Sequence, residues 1–278
     1  MTLPNQIIAA TDFSPASSQA VSVASRMART FKAKLTLFHV FPYVPRHRYK
    51  IPVEWMVEII RRDVHTRLQE VKNSLCQSGI DTNIVVQEDG APALQILNFI
   101  QTCKHPLLVM GTHATSGMER FLLGSTAEEV LRQTTCPVIT VGPHVSKNQN
   151  QSTLKTILFA TDFSNISLAA APFLLELKQT AGAHLRVLHV SDDHLSVAEE
   201  KRQFDPIQKA FQNTQDTEYV TLHGSNISQS VVDEAERSKT DLLVLGVRHT
   251  SEIATHLAPK IAFQIVAAAP CAVLTVSS

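Results

Sequence analysis

Along the first half of the chain, short apolar runs alternate with segments whose apolar residues recur every three to four positions. That alternation predicts strands and helices in strict turn. Gln6–Thr11 reads as a strand, and Pro15–Phe31 as a helix with Ala20, Val23, Ala24 and Met27 on one face. Lys34–Val40 is predicted as a strand, Val53–Ser78 as a long amphipathic helix and Thr82–Gln87 as a strand. A helix over Ala91–Cys103, a strand over Pro106–Met110, a helix over Thr126–Gln133 and a strand over Pro137–Val141 complete the series. The strands are continuously apolar, which implies a parallel sheet covered by helices on both faces, an α/β fold. Ligands of such sheets sit beyond the carboxyl ends of the strands. Asp12, Val40 and Gly111 all fall at such ends.

The pattern then repeats. Ile7–Ser14 (IIAATDFS) returns as Ile157–Ser164 (ILFATDFS), and Leu37–Val40 returns as Val187–Val190, both 150 residues on. Leu107–Gly111 matches Leu242–Gly246, and Cys136–Val141 matches Cys271–Val276, both 135 residues on. The difference is absorbed by a longer middle region in the first copy, around Phe41–Arg61. A polar stretch, Ser146–Thr153, has linker composition and lies at the seam. Two homologous domains are expected, 1–146 and 152–278. The closing strands Val138–Val141 and Val273–Val276 are apolar and late in each copy, and so are expected to be edges that need cover.

Composition narrows the function classes. In 278 residues, 25 basic and 25 acidic side chains cancel, so no net field favours nucleic acid or an anionic membrane. The four cysteines show no CxxC spacing and read as reduced, partly buried thiols of a cytoplasmic protein. The start, MTLPNQIIAATDFS, lacks the basic and apolar regions of a signal peptide. Ile261–Val276, interrupted by Gln264 and Pro270, reads as a buried helix and strand, not a membrane span. His184 and His189 fall on opposite faces of one strand, and no HxxxH pair occurs, so a metal site is not expected.

The chemistry concentrates in Met110–Val141. Here a strand delivers Gly111 to a loop, the pair Gly124-Ser125 follows, and a helix opens at Thr126. A glycine turn leading to a helix N-terminus presents converging backbone N–H groups, and the helix dipole favours an anion there. Glycine is expected at 111 and 124 because a close backbone approach leaves no room for Cβ. Neither a Walker GxxxxGK(S/T) nor a kinase HRD/DFG set is present, and no catalytic residue is assigned.

With these residues in place, the chain resembles a tandem universal stress protein over nearly all its length. Nucleotide-binding members of that family carry G-x2-G-x9-G-(S/T) after the fourth strand, an Asp closing the first strand and a Val closing the second. Here the motif reads Gly111, Ala114 in place of the second glycine, then Gly124-Ser125 at the intact spacing. The resemblance implies two Rossmann-like (adenine nucleotide alpha hydrolase-like) domains, each a five-stranded parallel sheet of order 3-2-1-4-5, paired through their last strands. It also implies roles. Thr11 and Asp12 would meet the ribose or adenine, and Val40 would line the adenine pocket. Met110 and Gly111 would approach the ribose and phosphates, and His113 and Ala114 would offer backbone N–H groups. Gly124, Ser125 and Thr126 would form the cradle. Ala114 costs about 1–2 kcal/mol if its backbone is left-handed, yet removes no donor. Arg120 is a candidate counter-charge, and Glu119 with His113 is imaginable as a base for water attack. Tyr43–Lys50, basic and aromatic, is a candidate lid or protein contact.

In the second copy His249, Pro259 and Lys260 replace Ala114, Gly124 and Ser125. Proline has no N–H, so the cradle is expected to fail there. The expected function is an ATP-binding stress-response module, with ATP held with or without Mg2+ in the first domain. The second domain is expected to act as a pseudo-dimer partner. A slow ATPase or phosphotransfer enzyme and a nucleotide-independent scaffold are the alternatives. A homodimer of the tandem chain and an unidentified protein partner remain open.

Overall fold

The computed structural model describes residues 3–41, 53–88, 90–112, 123–145, 153–191, 197–211, 216–247 and 258–277. The first copy runs β1 (Gln6–Ala10), α1 (Pro15–Phe31), β2 (Lys34–Val40), α2 (Val53–Gln77), β3 (Thr82–Gln87), α3 (Pro92–Gln101), β4 (Pro106–Gly111), α4 (Ser125–Gln133) and β5 (Val138–Val141). The second runs β6 (Thr156–Ala160), α5 (Asn165–Ala169), α6 (Ala171–Ala181), β7 (His184–Ser191), α7 (Val197–Gln203), α8 (Asp205–Ala210), β8 (Thr217–His223), α9 (Ile227–Arg237), β9 (Leu242–Val247), α10 (Ala258–Ala268) and β10 (Ala272–Ser277). The copies differ on one face. The long α2 gives way to the short α7 and α8, and the counterpart of α1 is split at Ala170, where Pro172 opens a new helix.

All ten strands form one sheet in the order β3-β2-β1-β4-β5-β10-β9-β6-β7-β8. Within each copy the neighbours are parallel, and the copies meet where β5 runs antiparallel to β10. The register there is Val273↔Thr140, Leu274↔Ile139 and Thr275↔Val138. Ile139 therefore faces Leu274, its own counterpart in the repeat, as a two-fold axis through this pair requires. Among the described residues, three hydroxyls cross the seam. Thr140 Oγ1 donates to the Val273 carbonyl (3.2 Å), Thr275 Oγ1 to Val138 (3.2 Å) and Ser277 Oγ to Thr134 (3.3 Å).

Two apolar layers flank the sheet, and each is continuous across both copies. One packs α1, α2, α6 and α8 through residues such as Met27, Leu68, Phe173 and Ile207. The other packs α3, α4, α9 and α10 through Ile96, Val130, Val231 and Val266. The seam also carries charge. Arg26 of α1, 3% exposed, feels Asp241 at the foot of β9. Burial pulls its pKa below the ordinary arginine value, and the aspartate opposes that pull. Asp241 itself accepts the amides of Lys155 and Thr156, both at 2.9 Å, fixing the start of β6.

Each net hydrogen bond contributes about 0.5–1.5 kcal/mol. The double substitution Thr140→Val with Thr275→Val is therefore expected to lower unfolding free energy by about 1–3 kcal/mol, read from the urea midpoint.

Candidate functional site

The site starts from a strained turn. β1 ends at Ala10, although the Thr11 amide still donates to the Phe38 carbonyl (2.9 Å). Phe13 then adopts φ 64°, a left-handed conformation costing a side-chain residue about 1–2 kcal/mol. The surroundings offset that strain. The Phe13 amide donates to Thr11 Oγ1 (3.2 Å) and the Ser14 amide to Asp12 Oδ1 (3.0 Å). Ser14 caps α1 by accepting the Ser17 amide (3.2 Å). A carbonyl only accepts, so His39 Nδ1 carries the proton that it donates to the Thr11 carbonyl (2.7 Å). The Phe13 ring lies against that imidazole, with centroids 4.9 Å apart.

The turn forms one wall of a cleft of about 370 Å³ at the carboxyl ends of β1, β2 and β4. Thr11, Asp12, Val40, Met110, Gly111, Gly124, Ser125 and Thr126 all line it. The other two sequence candidates, His113 and Ala114, lie outside the described residues, as do Glu119, Arg120, Tyr43–Lys50 and His249. His39 faces away from the cleft and acts as a support. Six lining residues were not anticipated: Ala10, Ser17, Phe38, Pro92, Ile96 and Ala127. Their signals were present. Phe38 is two residues before Val40 on the same strand face, and Pro92 and Ile96 share a face in the first turns of α3. Phe38 and Ile96 give the floor an apolar surface, with Phe99 stacked behind Phe38 at 4.8 Å.

The opposite wall is the N-terminus of α4. Gly124 is the N-cap, and among the described residues no side chain caps the first-turn amides. An uncapped first turn opening into a cleft favours a bound anion. Asp12 is the only ionisable side chain among the described lining residues. A larger cleft of about 440 Å³ lies at the other end of the strands, beside Pro4, Pro106 and Pro137. It meets the last turns of α3 and α4, whose free groups are carbonyls, so it does not suit an anion.

The structure shows which backbone makes the close approach at Gly111. A Cβ on Gly111 would stand 2.6 Å from the Ala16 carbonyl carbon and 2.7 Å from the Ser17 amide nitrogen, inside the protein and not against a ligand. Gly246 meets Ser167 Cα at 2.6 Å in the same way. Gly124 has φ −60°, which any residue adopts. Gly111 is thus required by the approach of α1 to the end of β4.

The second copy keeps the turn and changes the cradle. Thr161, Asp162, Ser164 and Ser167 repeat the hydrogen bonds, His189 Nδ1 donates to the Thr161 carbonyl (2.8 Å), and Phe163 has φ 58°. At the other wall α10 starts at Ala258, two residues before Lys260, the counterpart of Ser125. Pro259 therefore falls inside the helix where Gly124 is an N-cap, and Ile261, 37% exposed, replaces Thr126.

Comparison with known proteins gives a family match in each copy. The universal stress protein family model matches residues 4–142 and again 153–277. A universal stress protein of Methanocaldococcus jannaschii, MJ0531, is 32% identical over 141 residues, covering 50% of this chain and 82% of that protein. YxiE, a universal stress protein of Bacillus subtilis, is 27% identical over 154 residues, covering 49% of this chain and 98% of that one. Among solved structures, a universal stress protein from Archaeoglobus fulgidus superposes over 99% of both chains with a TM-score of 0.80 at 16% identity, a likeness of fold. No helix among the described residues is long and apolar enough to cross a membrane.

Gly111→Ala and Gly246→Ala are each expected to cost about 1–3 kcal/mol of stability without any ligand present, because backbone must move. Gly142→Ala, whose nearest contacts are an ordinary 3.6 and 3.7 Å, is expected to stay within about 0.5 kcal/mol in the same urea titration. Equal stability for Gly246→Ala and the parent protein would refute the steric account.

Proposed function

The chain belongs to the universal stress protein family, and from that premise we propose that its first copy binds ATP as a stress-response regulatory module. The second copy serves as its structural partner. One observation carries this reading: the uncapped first turn of α4 opens on the same cleft as the Asp12 carboxylate and the apolar floor of Phe38 and Ile96. The floor suits a planar base, the carboxylate accepts ribose hydroxyls, and the α4 amides with the Ser125 hydroxyl receive phosphate. His113 and Ala114 are assigned the remaining phosphate contacts by their place in the motif, and Mg2+ would accompany the phosphates. Occupancy is favoured over turnover because Asp12, the one ionisable group of the described lining, already accepts the Ser14 amide. In the second copy Pro259, which offers no N–H, stands at the position of Gly124, and Lys260 and Ile261 stand at those of Ser125 and Thr126. One ATP per chain is therefore the expected stoichiometry.

Calorimetry on the full chain is expected to show one ATP site and a rise in melting temperature. Saturation at a hundredfold over Kd would stabilise the fold by about 2.7 kcal/mol. Gly124→Asp sets a carboxylate on the cradle and should weaken ATP at least tenfold, roughly 1.4 kcal/mol. Absence of both heat and melting shift at millimolar ATP would sink the proposal. ADP release above background and lost in Gly124→Asp would replace it with the hydrolase reading.

A further inference from the structure

The two helices whose N-termini differ so sharply touch each other across the seam. α4 has nine residues and is joined to the cleft by its first turn. A helix so short has little stability of its own and depends on its caps and packing. Its other end is fastened to the second copy. The Arg132 guanidinium lies 5.0 Å from the ring centroid of Phe263 in α10, within the range of a cation–π contact. That guanidinium is aimed by Glu128, which accepts from both Nη2 (2.7 Å) and Nε (3.1 Å). The Thr134 carbonyl, at the end of α4, accepts Ser277 Oγ of β10. A second connection starts at the root of the phosphate loop. The Thr112 amide donates to the Val141 carbonyl (2.9 Å), and a Cβ on the next residue, Gly142, would stand 3.6 Å from the Val266 carbonyl of α10.

From this arrangement we infer that α10 reads the occupancy of the first-copy cleft. The inference rests on the nucleotide reading given above. Without an anion, the first-turn amides of α4 have no side-chain cap among the described residues. Phosphate supplies the cap, orders the helix, and so holds Arg132 against Phe263. The free energy of capping is shared with α10, because a helix ordered at one end presents its other end with less motion. Coupling of this kind is reciprocal: loosening Phe263 must weaken ATP even though Phe263 lies outside the cleft. The second copy thereby acquires a role that needs no nucleotide of its own. Its α10, free of the cradle geometry, serves as the output of the first site.

The test is amide hydrogen exchange of Ile261–Ala268 in the full chain, with and without saturating ATP, beside calorimetry on the same samples. ATP is expected to slow exchange in this segment of the parent protein. Phe263→Ala should abolish the ATP-dependent slowing and weaken ATP roughly two- to thirtyfold. Phe263→Tyr keeps a ring face for Arg132 and should restore both, which a general loss of packing would not predict. Ile261→Ala, on the same helix but exposed, should leave both unchanged. Calorimetric heat with unaltered exchange in α10 would overturn the coupling alone. No heat at millimolar ATP would overturn the nucleotide reading and the coupling with it.

Discussion

The antiparallel pairing of β5 with β10 is the constraint on which the rest depends. Each copy alone would end its sheet in a buried, apolar strand with one row of unpaired backbone groups. Joining the strands about the Ile139–Leu274 pair satisfies those groups and makes both apolar layers continuous. Everything near the cleft inherits its position from this seam. α4 is anchored by Leu131 and Val130 in the shared layer. The same pairing leaves β3 and β8 as the outer strands, so the free edges lie at opposite ends of the sheet.

Two kinds of feature at the carboxyl ends of the strands separate once the copies are compared. The left-handed Phe13 and Phe163, the histidines behind them, and the glycines ending β4 and falling within β9 occur in both copies with nearly the same contacts. These are conditions for building the turn and seating the first helix of each copy. At the opposite wall the copies differ, at the N-termini of α4 and α10. Strain alone does not distinguish the two copies, since the strained turn persists where the cradle has been rebuilt.

Much of this was legible in the sequence, for physical reasons. Continuous apolar runs between helical patterns have few solutions, and the first-copy strands lie within a residue of their expected ends. The repeat was visible because core positions tolerate little change. Other features were not legible. Gly111 was singled out, but the collision it avoids involves Ala16 and Ser17, almost a hundred residues away, and no local pattern shows that. Phe38 and Ile96 read as ordinary core residues, and only the meeting of β2 with α3 turns them into a floor. Pro259 was read as a missing donor at the cradle, and the structure adds that α10 already includes Ala258, so Pro259 lies within the helix. The split of α5 from α6 follows from Pro172 and was open to view.

The seam has a further, genetic consequence. In a dimer of two identical chains, any substitution appears twice, and a cleft cannot be altered on one side only. Joining the copies in one chain removes that restriction while the two-fold contact around Ile139 and Leu274 is retained. Each half is then free to drift under its own selection, and the shared sheet keeps the altered half folded beside the other. Pro259, Lys260 and Ile261 stand beside Gly124, Ser125 and Thr126 as a record of that freedom.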